Sequence, residues 1–146
     1  MATVYATAAD LSARFGADID QLADRDGDGL ADTEVVAAVL ADVSAEIDGY
    51  LAVRYQLPLA APVPLLLGRV ACVLARERLA YQAGVELGPD AAIRREAEAA
   101  RRLLADLAAG RASLGTVPAP ATGTGRVQMV SGGRDWARNP PTSGAA

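Results

Sequence analysis

The acids with the most regular spacing in the chain are Asp24, Asp26 and Asp28, and Gly29 follows them. Carboxylates at alternate positions before a glycine match the first half of an EF-hand loop, where the glycine allows a sharp turn. Carboxylate oxygens are ligands that a hard cation such as Ca2+ prefers. The spacing therefore indicates a candidate calcium site.

The second half of this loop departs from the EF-hand pattern. Leu30 offers a backbone carbonyl and Asp32 a carboxylate, but Val35 takes the position of the bidentate glutamate. The nearest acid, Glu34, comes one residue early. The candidate metal ligands are Asp24, Asp26, Asp28, Leu30, Asp32 and Glu34. The alternative interpretation is a solvated acidic turn whose aspartates cap the helix that begins near Thr33.

Side chains suited to catalysis are scarce. The chain has no His and a single cysteine, Cys72, so it lacks the commonest general acid–base group and any internal disulfide. Cys72 falls within an apolar helical pattern and is expected to be buried. The sequence also contains no phosphate-binding glycine loop and no nucleophile elbow. We expect a protein that is not an enzyme and has no cofactor other than the candidate Ca2+.

The elements that position the acidic loop are expected to be helices. Apolar residues make up 51% of the chain but aromatic residues only 4%, so the core must consist mainly of Ala, Leu and Val, which favours helix. Thr7 and Asp10 form a capping box for a short N-terminal helix, and a short turn is expected at residues 18–23. The predicted main helices are Thr33–Arg54, Leu65–Ala83 and Ala91–Ala109. The predicted fold is all-α, a small antiparallel bundle in which the second main helix is the most buried.

The composition changes after Gly110, where Gly, Pro, Ala, Thr and Ser become dominant. We expect a helical domain over residues 1–110 and a flexible linker with an extended C-terminal arm over residues 111–146. Trp136 has no evident place in the core, so it either folds back on the helices or, as we favour, anchors the arm on a neighbouring protein. The candidate partner-binding residues are Arg126, Val127, Met129, Val130, Arg134 and Trp136.

Charge is divided unevenly along the chain, whose net charge is −4. Residues 1–60 carry eleven acids and three arginines, whereas residues 61–146 carry seven acids and eleven arginines. This polarity suits head-to-tail contact between copies or contact with two different partners, although acids clustered by chance in one loop would also produce it. The arginine pairs at 94–95 and 101–102 either meet phosphates or acidic patches or, as the interleaved glutamates favour, form a solvated face.

The sequence contains no membrane-targeting pattern. The N-terminus lacks the basic and apolar regions of a signal peptide, and no apolar stretch approaches the roughly 18 residues needed to span a bilayer. We expect a soluble protein without a membrane partner.

Four segments of the chain resemble a known family. They are "DRDGDGLAD", "ADVSAEIDGYLAVRYQLPL", "ACVLARERLAY" and "AAGRASLG". The chain resembles the head–tail adaptor, or neck, proteins of Mu-like tailed phages, long catalogued as a domain of unknown function. The resemblance is most specific at residues 46–59 and extends from residue 1 to about residue 115. The ending "GGRDWARNPPTSGAA" is only loosely similar to the family's usual ending.

The resemblance implies a structural subunit of a head–tail connector ring of roughly twelve copies around the DNA channel. Its partners would be other copies of the chain, the portal protein and a tail-completion or stopper protein, and DNA would pass without sequence-specific binding. The protein would lie in the virion neck, and in the host cytoplasm during assembly. Residues 126–138 would form the portal-contacting arm. We add the hypothesis that Asp42, Glu46 and Asp48 line the channel and repel DNA.

Overall fold

The computed structural model describes residues 3–88 and 91–116. Over these ranges the chain forms five helices and no strand, which confirms the predicted all-α bundle. The helices are α1 (Ala8–Phe15), α2 (Ala17–Ala23), α3 (Thr33–Leu51), α4 (Leu65–Gln82) and α5 (Ala92–Ala108). The short turn expected at residues 18–23 is a complete helix, α2. None of the helices described combines the length and apolarity needed to cross a membrane.

The first helix begins at the predicted capping box. The amide of Asp10 donates to the Thr7 hydroxyl at 3.2 Å, and the amide of Thr7 donates to the Asp10 carboxylate at 2.8 Å. Two of the amides that a helix start leaves unpaired are thereby satisfied. Gly16, with φ of 53°, ends α1 and begins α2.

The central element is α4, as its apolar sequence predicts. It contacts each of the other four helices, and small residues allow this close packing. A Cβ atom on Gly68 would lie 3.2 Å from the carbonyl oxygen of Tyr5, so the N-terminal segment approaches the helix backbone directly. Leu66 lies near Leu103 and Tyr81 near Arg94, so α4 and α5 run antiparallel.

The core is built mainly from aliphatic side chains of the three main helices. Val and Ile of α3 face Leu and Ala of α4 and α5, and the short helices add Leu11 and Ile19. The largest fully buried side chains are Leu11, Ile19, Ile47, Leu51, Leu67, Leu74, Leu79, Leu104, Leu107, Val36, Val39 and Val43.

The main helices are one to three residues shorter than the apolar pattern predicts. The largest difference is at the end of α3, which stops at Leu51 instead of Arg54. The amides of Arg54 and Tyr55 both donate to the carbonyl of Leu51, at 3.0 and 2.8 Å, so the chain continues as a tighter turn before the proline-rich loop. Tyr55 remains buried in that turn, beyond the end of the helix.

Candidate functional site

The acidic loop joins α2 to α3 and is held by its own backbone. The Asp24 carboxylate accepts hydrogen bonds from the amides of Gly27, at 2.7 Å, and Gly29, at 2.9 Å. Both glycines have positive φ angles, 80° and 86°, which residues with a side chain rarely adopt. The amide of Gly29, and after it that of Gly27, lower the pKa of Asp24. Asp24 therefore anchors the loop as well as being a candidate ligand.

Three of the six candidate metal ligands lie together. Carboxylate oxygens of Asp24, Asp26 and Asp28 are within 4.8 Å of one another. Three such oxygens are compatible with a hard cation, but Ca2+ takes six to eight. The acidic group includes neither Asp32 nor Glu34, so the loop reproduces only the first half of the EF-hand arrangement.

The prediction that the aspartates cap α3 near Thr33 is wrong. Asp32 is the N-cap residue by position, but its side chain makes no capping hydrogen bond. Its carboxylate instead accepts from the amide of Arg25 at 2.8 Å, and its amide donates to the carbonyl of Ala23 at 3.1 Å. Both hydrogen bonds close the base of the loop, and the Leu30 side chain is left exposed beyond it.

A buried glutamate joins α4 to α5. The Glu77 side chain is only 6% exposed, and its carboxylate lies 2.7 Å from the guanidinium of Arg101. Arg101 also lies 3.0 Å from Glu46 of α3, which pairs with Arg78 of α4 at 3.2 Å. Glu77, the largest cause, raises the pKa of Arg101 above its ordinary value. A buried charge needs partners of this kind. Arg101 is therefore engaged within the bundle, where the sequence favoured a solvated face.

The acids suggested for the channel wall are also engaged within the chain. Glu46 is 22% exposed and belongs to the ion pairs just described. Asp42 lies 3.4 Å from Arg78, and Asp48 accepts a hydrogen bond from the Tyr5 hydroxyl. Their negative charge is thus partly balanced before any partner is considered.

Sequence reasoning missed the docking of the N-terminal segment on α3. The amide of Tyr5 donates to the Ser44 hydroxyl at 3.3 Å, and Tyr5 is only 8% exposed. Burial, followed by the hydrogen bond to Asp48, raises the pKa of Tyr5. The sequence signal that could have pointed to such a partner is Ser44, a hydroxyl that directly follows Val43 of the apolar stripe; in the structure it is fully buried.

Two further predictions concern Cys72 and the C-terminal arm. Cys72 is fully buried, as expected, and burial raises the pKa of its thiol, which disfavours the reactive thiolate. The predicted arm residues Arg126, Val127, Met129, Val130, Arg134 and Trp136 lie outside the residues that the structure describes.

Comparison with known proteins gives two findings. A family model described as "Bacteriophage Mu, Gp36" matches residues 5–131. The protein "Gene product J" of Escherichia phage Mu is 49% identical over 73 residues, which are 49% of this chain and 51% of that protein. The aligned stretch therefore spans about half the length of this curated relative. Because the family model covers most of the sequence, including all five helices, the chain belongs to the bacteriophage Mu Gp36 family.

Proposed function

We propose that this protein is a structural subunit of a phage head–tail connector ring, not an enzyme. The ring would bridge the portal protein and a tail-completion or stopper protein around the DNA channel, with roughly twelve copies related by rotation. The observation that carries the proposal is the family match over residues 5–131. In the virion the protein would lie in the neck, and before assembly in the host cytoplasm.

The described fold supports this role in one way, and the charge of the sequence in another. Glu77 and the residues paired with it tie the three main helices into one unit, as a ring subunit requires if it is to keep its shape under load. Part of the charge polarity of the sequence is balanced by ion pairs within the bundle. The acids of the first half and the arginines of the second half that remain outside these pairs suit repeated head-to-tail contacts. The arm beyond residue 116, with Val127, Met129 and Trp136, would supply the contact with the portal.

Native mass of the full chain, with and without the portal protein of the same phage, tests the proposal. We expect a ring, or a complex in which several copies bind each portal ring. A matched variant, Trp136→Ala, should lower the number of bound copies while keeping the fold. A full chain that remains monomeric at high concentration and does not bind the portal would overturn the proposal.

A second candidate function, a Ca2+-binding interaction module, is favoured by one observation, the approach of the Asp24, Asp26 and Asp28 carboxylates. Ca2+ bound only by the folded state would stabilise it by about 2.7 kcal/mol at a hundredfold excess over Kd. Thermal melting with and without Ca2+ measures this, and Asp26→Asn with Asp28→Asn is the control. A calcium-dependent rise in Tm that the control abolishes would support the module; equal melting curves would reject it.

A further inference from the structure

An apolar groove of about 440 Å³ lies where α1, α4 and α5 meet. Its apolar lining includes Phe15, Leu66, Val73 and Leu103, all of them partly exposed to solvent. A partly exposed apolar groove of this size is a recognised feature of binding surfaces.

The rim of this groove is positively charged. Arg14 and Arg69 line it and are exposed, and neither forms an ion pair with any acid of the described chain. The one acid of the lining, Glu96, lies 3.8 Å from Arg76 and is therefore partly neutralised. The groove thus fits an apolar side chain flanked by carboxylates.

The acidic loop presents such a group. Leu30 is 65% exposed, far more than a leucine needs to be if it only supports the loop. Asp26 and Asp28 stand close to it in the chain, are exposed, and form no ion pair within the described residues. The loop combines an apolar tip with unpaired negative charge, which complements the groove in both respects.

Within one copy Leu30 lies outside the groove, because it lines a separate pocket with Ala8 and Ser12 of α1. Arg25 of the loop donates to Gln82, at the end of α4, at 3.0 Å, whereas Arg69 is near the start of that helix. Thirteen residues of helix separate these positions, or roughly 20 Å at a rise of 1.5 Å per residue. The loop is also closed at its base by Asp32 and Ala23. The groove is therefore not filled by the loop of its own copy and is open to a second molecule.

We propose that the segment Asp26–Leu30 of one copy docks in the groove of the next copy. Leu30 packs on Phe15, and the two aspartates approach Arg14 and Arg69. The contact uses different surfaces on the two copies, so it is heterologous and generates a ring when the rotation closes. This inference rests on the proposed ring and specifies the contact between its subunits.

Charge reversal tests the contact in the full chain. Arg14→Glu with Arg69→Glu should reduce the assembled fraction at least tenfold in sedimentation velocity, alone or on the portal ring, and Asp26→Arg with Asp28→Arg should do the same. Mixing these two variants should restore assembly, because each loop then meets a groove of opposite charge. The matched control is Arg95→Glu with Arg102→Glu, which changes the same charge at exposed positions outside the groove. No loss in the groove variant, or no recovery on mixing, would overturn the inference.

A disulfide test locates the contact without changing charge. In a Cys72→Ala background, Leu30→Cys with Ala99→Cys should give ladders of linked copies under oxidation, since Ala99 lines the groove and is exposed. Leu30→Cys with Ala92→Cys, outside the groove lining, should give none. Rings that form without the first ladder would overturn this contact and leave the proposed function intact. Ladders from a protein that does not bind the portal would overturn the function alone, and a monomer under all conditions would overturn both.

Discussion

Replacing Arg101 by methionine should destabilise the fold far more than a typical change at a partly exposed position. The substitution keeps much of the aliphatic stem but removes the guanidinium that lies 2.7 Å from Glu77 and 3.0 Å from Glu46. Breaking a buried ion pair costs about 3–5 kcal/mol because the remaining charge loses its partner. Arg101 is 35% exposed, so water reduces the expected loss to about 2–3 kcal/mol.

Urea unfolding of the full chain measures this loss, and thermal melting should show a fall in Tm of roughly 10 °C. The neighbouring substitution Arg102→Met is the control, since Arg102 is exposed and in no ion pair of the described chain; it should change stability by less than about 0.5 kcal/mol. Adding Glu77→Leu to Arg101→Met should recover part of the loss, because the stranded charge is then gone. Equal stability of the two single variants would refute the argument that the ion pair between Arg101 and Glu77 stabilises the fold.

Three further predictions concern glycine, pH and the arm. Gly49→Ala should raise the free energy of unfolding, measured in urea, by about 0.5–1 kcal/mol, since a Cβ atom there meets nothing within 4 Å. The control Gly68→Ala should give no such gain, because its Cβ atom would lie 3.2 Å from a backbone carbonyl oxygen. The lowered pKa of Asp24 means that its contribution to stability is present above the unfolded value of about 3.9 and is lost as pH falls through the folded pKa. The stability curves of wild type and Asp24→Ala should therefore converge at low pH, and a constant gap would contradict this. Trp136→Ala should weaken portal binding in a pull-down without lowering Tm, whereas a large fall in Tm would place Trp136 against the helices.

The helices could be predicted because their signals are local. The capping box at Thr7 and the apolar spacing in α3 and α4 depend only on residues a few positions apart. The ends of the helices are predicted less closely. The apolar stripe of α3 stops at Leu51, as the helix does, but no local signal separates the helix from the tight turn through Arg54 that follows it.

The contacts between helices could not be predicted in the same way. Glu77 stands between Arg76 and Arg78 in the sequence, so its burial is not evident there. Its neighbours Glu46 and Arg101 lie 31 and 24 positions away, and nothing in the spacing identifies them. The acidic loop shows the same limit. The spacing correctly predicted that the carboxylates of Asp24, Asp26 and Asp28 lie close together. The role of Asp32 could not be predicted, because its carboxylate accepts from the amide of Arg25 across the loop and not from the start of α3.

Electron cryo-microscopy of the full chain mixed with the portal ring of the same phage tests the central claim most directly. The account predicts a second ring of this protein, coaxial with the portal around an open channel, with the five-helix domain recognisable in each subunit. Portal particles without added density, or copies bound singly and away from the channel axis, would contradict the assignment as a connector subunit.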